Sequence, residues 1–122
     1  MMKYTAITVY GIPNCDTVKK ARTWLSEQGY DYIFHDFKNQ GLPEKTLAHW
    51  LHDAGWEKVL NRKGTSWRKL SPQEQGSITS SDTARPFILA NPSLIKRPVI
   101  EWQTSKSVEM TIGFQPDLWL AR

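Results

Sequence analysis

Cysteine is scarce in this chain: Cys15 is the single cysteine among 122 residues. One cysteine excludes an intramolecular disulfide, so no disulfide framework supports the fold. Long hydrophobic runs are also absent, since no apolar stretch approaches the length of a membrane span. The opening segment, Met1-Met-Lys-Tyr-Thr5, lacks the apolar core of a signal peptide. We therefore expect a cytoplasmic protein that has no membrane partner.

The excess of positive charge is small. The chain carries 16 lysines and arginines and 12 acidic residues, a net charge of +4, which attracts anions weakly and indicates no nucleic-acid partner. The densest basic groups, Arg62-Lys63 with Arg68-Lys69 and Lys96-Arg97, are either solvated surface or anion-binding sites. With 39% hydrophobic and 23% charged residues, the chain has the composition of one compact domain.

Periodicity predicts a strand–helix–strand unit in the first third of the chain. Residues 6–10 alternate between two faces, as in a half-buried strand. Apolar residues recur at i, i+3 and i+7 from Val18, which predicts a helix over 16–27. Residues 31–37 form a second β-rich run. We therefore expect two parallel strands joined by a right-handed helical crossover.

The middle of the chain is helical by pattern, and the end returns to β-structure. In the middle we expect a helix from Pro43 to Gly55, a loop at 61–65 and a short helix opened by the capping box Ser71-Pro-Gln-Glu74. A turn at 77–82 and a helix over 82–90 follow. At the end we expect strands 99–102 and 107–114 around a loop at 103–106, and then a closing helix over 116–121. This order predicts an α/β fold with a mixed four-stranded sheet and flanking helices. Residues 1–38 and 91–122 would form that part, and 39–90 a helical insertion.

Cys15 lies between the first strand and the first helix. It follows Gly11-Ile-Pro-Asn14, so it occupies a turn rather than a core run. At a helix start, unpaired backbone N–H groups and the positive end of the dipole favour the thiolate, the form that attacks electrophiles. Lys19 and Lys20 add positive charge nearby, and Asn14 is a turn former and a candidate binding residue beside the sulfur. On position alone, Cys15 is either a reactive thiol or a packed structural residue.

The order of elements is typical of a thioredoxin-like fold with an insertion. In such a fold an X–Pro bond before the third strand comes close to a reactive cysteine at the first helix start. Arg97-Pro98 occupies this position. The bond before Pro98 is either cis, a geometry that proline makes accessible, or trans at the opening of a strand.

Four sequence blocks carry a resemblance to a known family. They are Tyr10-Gly-Ile-Pro-Asn-Cys-Asp-Thr-Val-Lys-Lys20, Leu60-Asn-Arg-Lys-Gly-Thr-Ser-Trp-Arg-Lys-Leu70, Asn91-Pro-Ser-Leu-Ile-Lys-Arg-Pro-Val99 and Gly113-Phe-Gln-Pro116. In this order and spacing, over essentially the whole chain, the protein resembles the arsenate reductase family of the thioredoxin-like superfamily. The YffB-type branch, which is associated with glutathione-dependent thiol reduction, is the most similar branch, and the Spx-type regulators are more distant.

The resemblance implies a role for each matched position. Cys15 resembles the nucleophilic cysteine, and Pro98 resembles the cis-proline of the family. Arg62 and Arg97 resemble two of the three arginines that hold the oxyanion in arsenate reductases. Gln115 stands where the third arginine belongs, and its amide lacks the charge and the fork of a guanidinium. We include Gln115 among the candidate binding residues, with a weaker case for arsenate as the substrate.

A single cysteine also constrains the mechanism. Val18 stands where Spx-type regulators carry a second cysteine, so an intramolecular Cys-x-x-Cys switch cannot form. An adduct on Cys15 must then be released by an external thiol through a mixed disulfide. Glutathione is the expected co-substrate, with Arg62 and Arg97 binding its carboxylates. We expect no bound cofactor and no metal site.

Three functions stay open. The first is a glutathione-dependent thiol reductase, expected to be a monomer, that acts on an oxidised thiol or an oxyanion. The second is a glutathione-linked arsenate reductase, which needs a strong anion cradle and is disfavoured by Gln115. The third is a non-catalytic, Spx-like adaptor that binds RNA polymerase and would keep its function without Cys15. We favour the first of these hypotheses.

Overall fold

The computed structural model describes residues 4–121. Residues 1–3, which belong to the segment lacking a signal-peptide core, and residue 122 lie outside the described residues. The elements are β1 (Ala6–Gly11), α1 (Asp16–Glu27), β2 (Ile33–Asp36), α2 (Phe37–Gln40), α3 (Glu44–Ala54), α4 (Trp56–Val59), α5 (Thr65–Arg68), α6 (Pro72–Ser77), α7 (Ser81–Ala90), a 3₁₀ turn (Pro92–Leu94), β3 (Val99–Gln103), β4 (Val108–Ile112) and α8 (Pro116–Leu120). No helix within 4–121 is both long and apolar enough to span a membrane.

The chain forms two compact units. The first runs up to Gln40 and resumes at Arg97, and the second is Gly41–Lys96. The four strands of the first unit make one sheet in the order β2-β1-β3-β4. Strand β1 is parallel to β2 and antiparallel to β3, which is antiparallel to β4. The mixed four-stranded sheet with flanking helices confirms the predicted α/β, thioredoxin-like class.

One face of this sheet carries the apolar core of the first unit. Its buried members are Tyr4, Ile7, Val9, Ala21, Leu25, Ile100, Trp102 and Trp119. The core contains one shared polar contact, because the hydroxyl of Thr111 accepts the indole N–H of Trp102 at 2.9 Å and that of Trp119 at 3.3 Å. Helix α1 approaches β1 closely, since a Cβ added at Gly11 would lie 2.7 Å from Cγ2 of Val18. Glycine at this position therefore allows the helix start to pack against the strand.

The second unit is helical. Its helix α3 lies against α4 and α7, and its buried apolar side chains are Leu47, Trp50, Leu51, Val59, Leu60, Ile78, Ala84, Ile88, Leu94 and Ile95. Ser71 and Glu74 form the predicted capping box at the start of α6. A second capping box, which was not predicted, joins Ser80 to Thr83 at the start of α7, so the turn expected at 77–82 is shorter.

Two of the expected element boundaries were wrong. The strand expected at 31–37 ends at Asp36, because the Asp36 carboxylate accepts the backbone N–H of Lys38 at 3.1 Å and turns the chain into α2. The loop expected at 61–65 gives way to a helical turn at Thr65. There the Arg68 guanidinium donates to the carbonyl of Lys63 at 2.9 Å and fixes the turn.

The insertion also differs from the expected 39–90. The second unit continues to Lys96, because the backbone N–H of Asn61 donates to Leu94 at 2.8 Å and that of Lys96 donates to Val59 at 2.8 Å. These bonds attach the chain after α7 to the helical unit. The segment 91–96 therefore belongs with the helices rather than with the sheet.

Candidate active site

The cysteine lies on a tight turn between β1 and α1. The backbone N–H of Cys15 donates to the carbonyl of Ile12 at 3.3 Å, which leaves Asn14 exposed within the turn, as predicted. Cys15 is the N-cap residue of α1, and its carbonyl accepts the backbone N–H of Lys19 at 2.9 Å. The thiol is partly exposed. The sequence therefore placed Cys15 correctly at a helix start.

The surroundings of Cys15 favour the thiolate. Burial acts to raise the pKa of the thiol, but a hydrogen bond from the backbone of Val18, a hydrogen bond and the charge of Arg97, and a hydrogen bond from the backbone of Thr17 together lower the pKa below its ordinary value. The backbone contribution is the one expected at a helix start. The positive charge comes from Arg97, whereas Lys19 and Lys20, which the sequence suggested, are not among the causes.

Arg97 reaches the thiol from the segment that enters β3. The Arg97–Pro98 peptide bond is cis, as the resemblance implies for Pro98. Pro98 is buried, and its carbonyl accepts the backbone N–H of Gly113 at 2.8 Å. The first unit thus brings together two residues that are distant in sequence, Cys15 and Arg97. A guanidinium beside a thiol at a helix start is an arrangement that favours the thiolate form.

The other predicted binding residues have partners within their own units. Gln115 is the N-cap residue of α8, and its side-chain amide donates to the carbonyl of Ile112. Arg62 belongs to the second unit, where its guanidinium lies 3.8 Å from the Glu57 carboxylate and 5.7 Å from the Trp56 ring centre. The roles of Arg62, Gln115, Pro98 and Asn14 in binding glutathione or an oxyanion stay predictions.

The sequence pattern did not predict a polar group on the sheet. The hydroxyl of Tyr10 donates to the Glu101 carboxylate at 3.0 Å, and the Tyr10 ring lies 5.0 Å from the His35 ring. Burial, followed by the charge of Glu101 and the hydrogen bond to it, raises the pKa of Tyr10 well above its usual value. The alternation of β1 and β3 assigns both residues to sheet faces, but only the strand order makes them neighbours. Within 4–121 no group of three or more His, Cys, Asp or Glu residues could hold a metal ion.

Similar structures agree with this architecture. The solved structure of a protein called YFFB is 41% identical, with a TM-score of 0.85 over 95% of this chain and 97% of that chain. The solution structure of an arsenate reductase (ArsC) related protein from Brucella melitensis is 42% identical, with a TM-score of 0.73 over 96% of this chain and 93% of that chain. Both likenesses extend over nearly the whole of each protein.

Sequence relatives extend the comparison. A protein of Haemophilus influenzae, described as uncharacterized, is 43% identical over 94 residues, which are 77% of this chain and 82% of that protein. The global transcriptional regulator Spx of Streptococcus pneumoniae is a more distant relative, 28% identical over 91% of this chain and 80% of its own length. The ArsC family matches residues 10–121. Because this family includes arsenate reductases, the match supports an oxidoreductase activity for this chain. The chain belongs to the ArsC family.

Proposed function

We propose that this protein is a monomeric, cytoplasmic, glutathione-dependent thiol reductase in which Cys15 is the sole nucleophile. The observation that carries the proposal is the environment of Cys15: a partly exposed thiol whose pKa is lowered by Arg97 and by the start of α1. Because the chain has no second cysteine, an adduct on this sulfur has to be released by a thiol from solution. Glutathione is the abundant small thiol that fits this requirement.

The proposed reaction consists of two thiol–disulfide exchanges. The Cys15 thiolate attacks the glutathione sulfur of a mixed disulfide between glutathione and a substrate thiol. A disulfide forms between Cys15 and glutathione, and the substrate leaves as a thiolate that takes a proton. A second glutathione, as its thiolate, then attacks the glutathione sulfur of the Cys15 adduct. Glutathione disulfide leaves, and the Cys15 thiolate is restored, so one substrate disulfide is reduced for each glutathione consumed.

Arg97 has two roles in this scheme. Before the attack, its hydrogen bond and its charge stabilise the thiolate of Cys15. Once the adduct has formed, the sulfur carries no charge, and the guanidinium can pair with a carboxylate of the bound glutathione. When the second glutathione attacks, the guanidinium again stabilises the negative charge that returns to Cys15.

The first test measures the thiol directly. We expect the thiolate absorbance of the wild type to titrate below the ordinary cysteine pKa, and the midpoint to rise in Arg97→Met because the hydrogen bond and the charge are lost. Lys20→Met, which removes an exposed cation from α1 that does not act on the sulfur, is the matched control and should keep the wild-type midpoint. A midpoint that is the same in Arg97→Met and in the wild type would contradict the role of Arg97.

The second test measures the chemistry. Treatment with glutathione disulfide should add the mass of one glutathione to the wild type and none to Cys15→Ser, and reduced glutathione should then remove it. The enzyme should also reduce the mixed disulfide of glutathione and 2-mercaptoethanol, with no turnover by Cys15→Ser. Failure of the wild type to form the adduct, under conditions that modify a free peptide thiol, would refute the proposed function.

Arsenate reduction is the second candidate, favoured by the name of the similar Brucella structure. Gln115, whose amide is bonded to the chain itself, offers an arsenate trianion no charge. Arsenate-dependent oxidation of glutathione distinguishes the two activities. An Spx-like adaptor function, suggested by the 28% identical regulator, predicts instead that Cys15→Ser still recovers RNA polymerase in a pull-down.

A further inference from the structure

A groove of about 390 Å³ runs along the exposed side of α1 in the first unit. It is lined by Lys19, Arg22, Thr23, Ser26, Glu27 and Tyr32. Its volume falls in the range of sites that bind small ligands. None of these residues belongs to the thiol site described above, so the groove needs an explanation of its own.

The guanidinium of Arg22 is held in place in this groove. Its carbon atom lies 4.1 Å from the centre of the Phe34 ring, and its Nε donates to the hydroxyl of Tyr32 at 3.1 Å. The two terminal nitrogens of Arg22, and the ammonium of Lys19, make no hydrogen bond or ion pair with any residue in the described part of the chain. A stacked guanidinium of this kind can bind a carboxylate, because its two terminal nitrogens can donate to the two carboxylate oxygens.

The groove begins about one helical turn after Cys15, because Lys19 is the first of its lining residues along the chain. Lys19, Arg22 and Ser26 follow Cys15 at i+4, i+7 and i+11, which is the spacing of one stripe along a helix. With a rise of about 1.5 Å per residue, Arg22 lies about 10 Å from Cys15 along the axis and Glu27 about 18 Å. An extended peptide covers these distances in about three and about five residues. A chain whose oxidised cysteine meets Cys15 can therefore follow the stripe.

We propose that this groove binds the polypeptide segment next to the oxidised cysteine of a protein substrate, and that it selects an acidic segment. This inference rests on the proposed function and names its substrate class: glutathionylated proteins, rather than small disulfides alone. Lys19 and Arg22 make the end near Cys15 positive, and Glu27 makes the far end negative. The preferred segment carries carboxylates two or three residues from its cysteine and a lysine or arginine about five residues away.

Glutathionylated peptides test the charge order. One peptide carries Glu at the second and third positions from the modified cysteine and Lys at the fifth, and its partner carries these charges reversed. Both are made with the cysteine first and with the cysteine last, because the groove does not fix the chain direction. In one of the two directions we expect kcat/KM to favour the matched peptide by about five- to tenfold, a size set by partly screened ion pairs. The preference should fall as salt is added.

Two variants connect the preference to the groove. Arg22→Gln and Lys19→Gln should each reduce the ratio between the matched and the reversed peptide toward one. Lys20→Gln is the matched control, since it removes an equal charge from the same helix outside the stripe, and it should keep the wild-type ratio. A wild-type ratio near one in both chain directions, or a preference that Arg22→Gln and Lys19→Gln leave intact, overturns the proposal.

The mixed disulfide of glutathione and 2-mercaptoethanol separates this failure from failure of the proposed function. It has no chain to occupy the groove. If the wild type reduces it but does not distinguish the peptides, the reductase function stands and the groove proposal falls. If the wild type reduces neither it nor the peptides, both fall.

Discussion

The buried hydroxyl of Thr111 offers the sharpest test of what holds the first unit together. It is the shared acceptor for the indole N–H groups of Trp102 and Trp119, at 2.9 and 3.3 Å. Both indoles are almost fully buried, with 0% and 2% of their surface exposed. A hydroxyl oxygen has two acceptor sites, so one side chain can serve both donors. Thr111→Val keeps the shape of the side chain and its preference for strands, and replaces the hydroxyl with a methyl group that cannot accept a hydrogen bond.

The cost follows from the two donors. A buried donor that loses its partner costs about 1–3 kcal/mol, and the 3.3 Å bond is the weaker of the two, so we expect Thr111→Val to lower the free energy of unfolding by about 2–4 kcal/mol. Thr111→Ser keeps the hydroxyl and removes one methyl group, which costs about 1 kcal/mol. Valine, the better strand former, should therefore be the more destabilising of the two changes.

Urea unfolding followed by far-UV circular dichroism measures the difference without relying on tryptophan emission, which the substitutions themselves would change. The two variants should unfold with similar slopes and different midpoints. The reasoning is refuted if Thr111→Val is as stable as Thr111→Ser, because the indole N–H groups would then not depend on this oxygen.

Two other predictions concern β1. Gly11→Ala should lower the free energy of unfolding by about 1–3 kcal/mol, because the new methyl would lie 2.7 Å from Cγ2 of Val18. In urea unfolding, the double variant Gly11→Ala with Val18→Ala should lose less stability than the sum of the losses in the two single variants. The raised pKa of Tyr10 means that the folded state keeps a proton that the unfolded state loses above about pH 10. Stability should therefore decline as the pH rises above that value, and a decline equally steep in Tyr10→Phe would contradict this assignment.

Local pattern was enough to predict several elements. Helix α1 occupies the predicted 16–27, because its apolar stripe lies within that stretch and turn residues directly flank it. The capping box at Ser71 and the hairpin after Pro98 are local in the same sense. The single-turn helices α4 and α5 were missed, since four residues show no helical period and gain their stability from tertiary contacts.

The site itself was only partly readable from the sequence. The sequence predicted that the backbone at the start of α1 lowers the pKa of Cys15, because this effect depends only on residues that are neighbours in the chain. The cation that matters is Arg97 rather than Lys19 or Lys20, since charge in a folded protein acts through space. Antiparallel pairing of β1 with β3 connects these distant segments, and it likewise makes neighbours of Tyr10 and Glu101.

Position 18 links the packing of the first unit to the chemistry that we propose for it. The backbone N–H of Val18 supports the sulfur of Cys15, while its side chain is fully buried against Gly11. The main chain of this residue therefore stabilises a thiolate, and its side chain joins the helix to the strand. Because valine at this position cannot attack an adduct on the partly exposed Cys15, the attacking thiol has to come from solvent. In the function that we propose, the start of α1 and Arg97 stabilise the attacking thiolate, and a glutathione molecule from solution regenerates it.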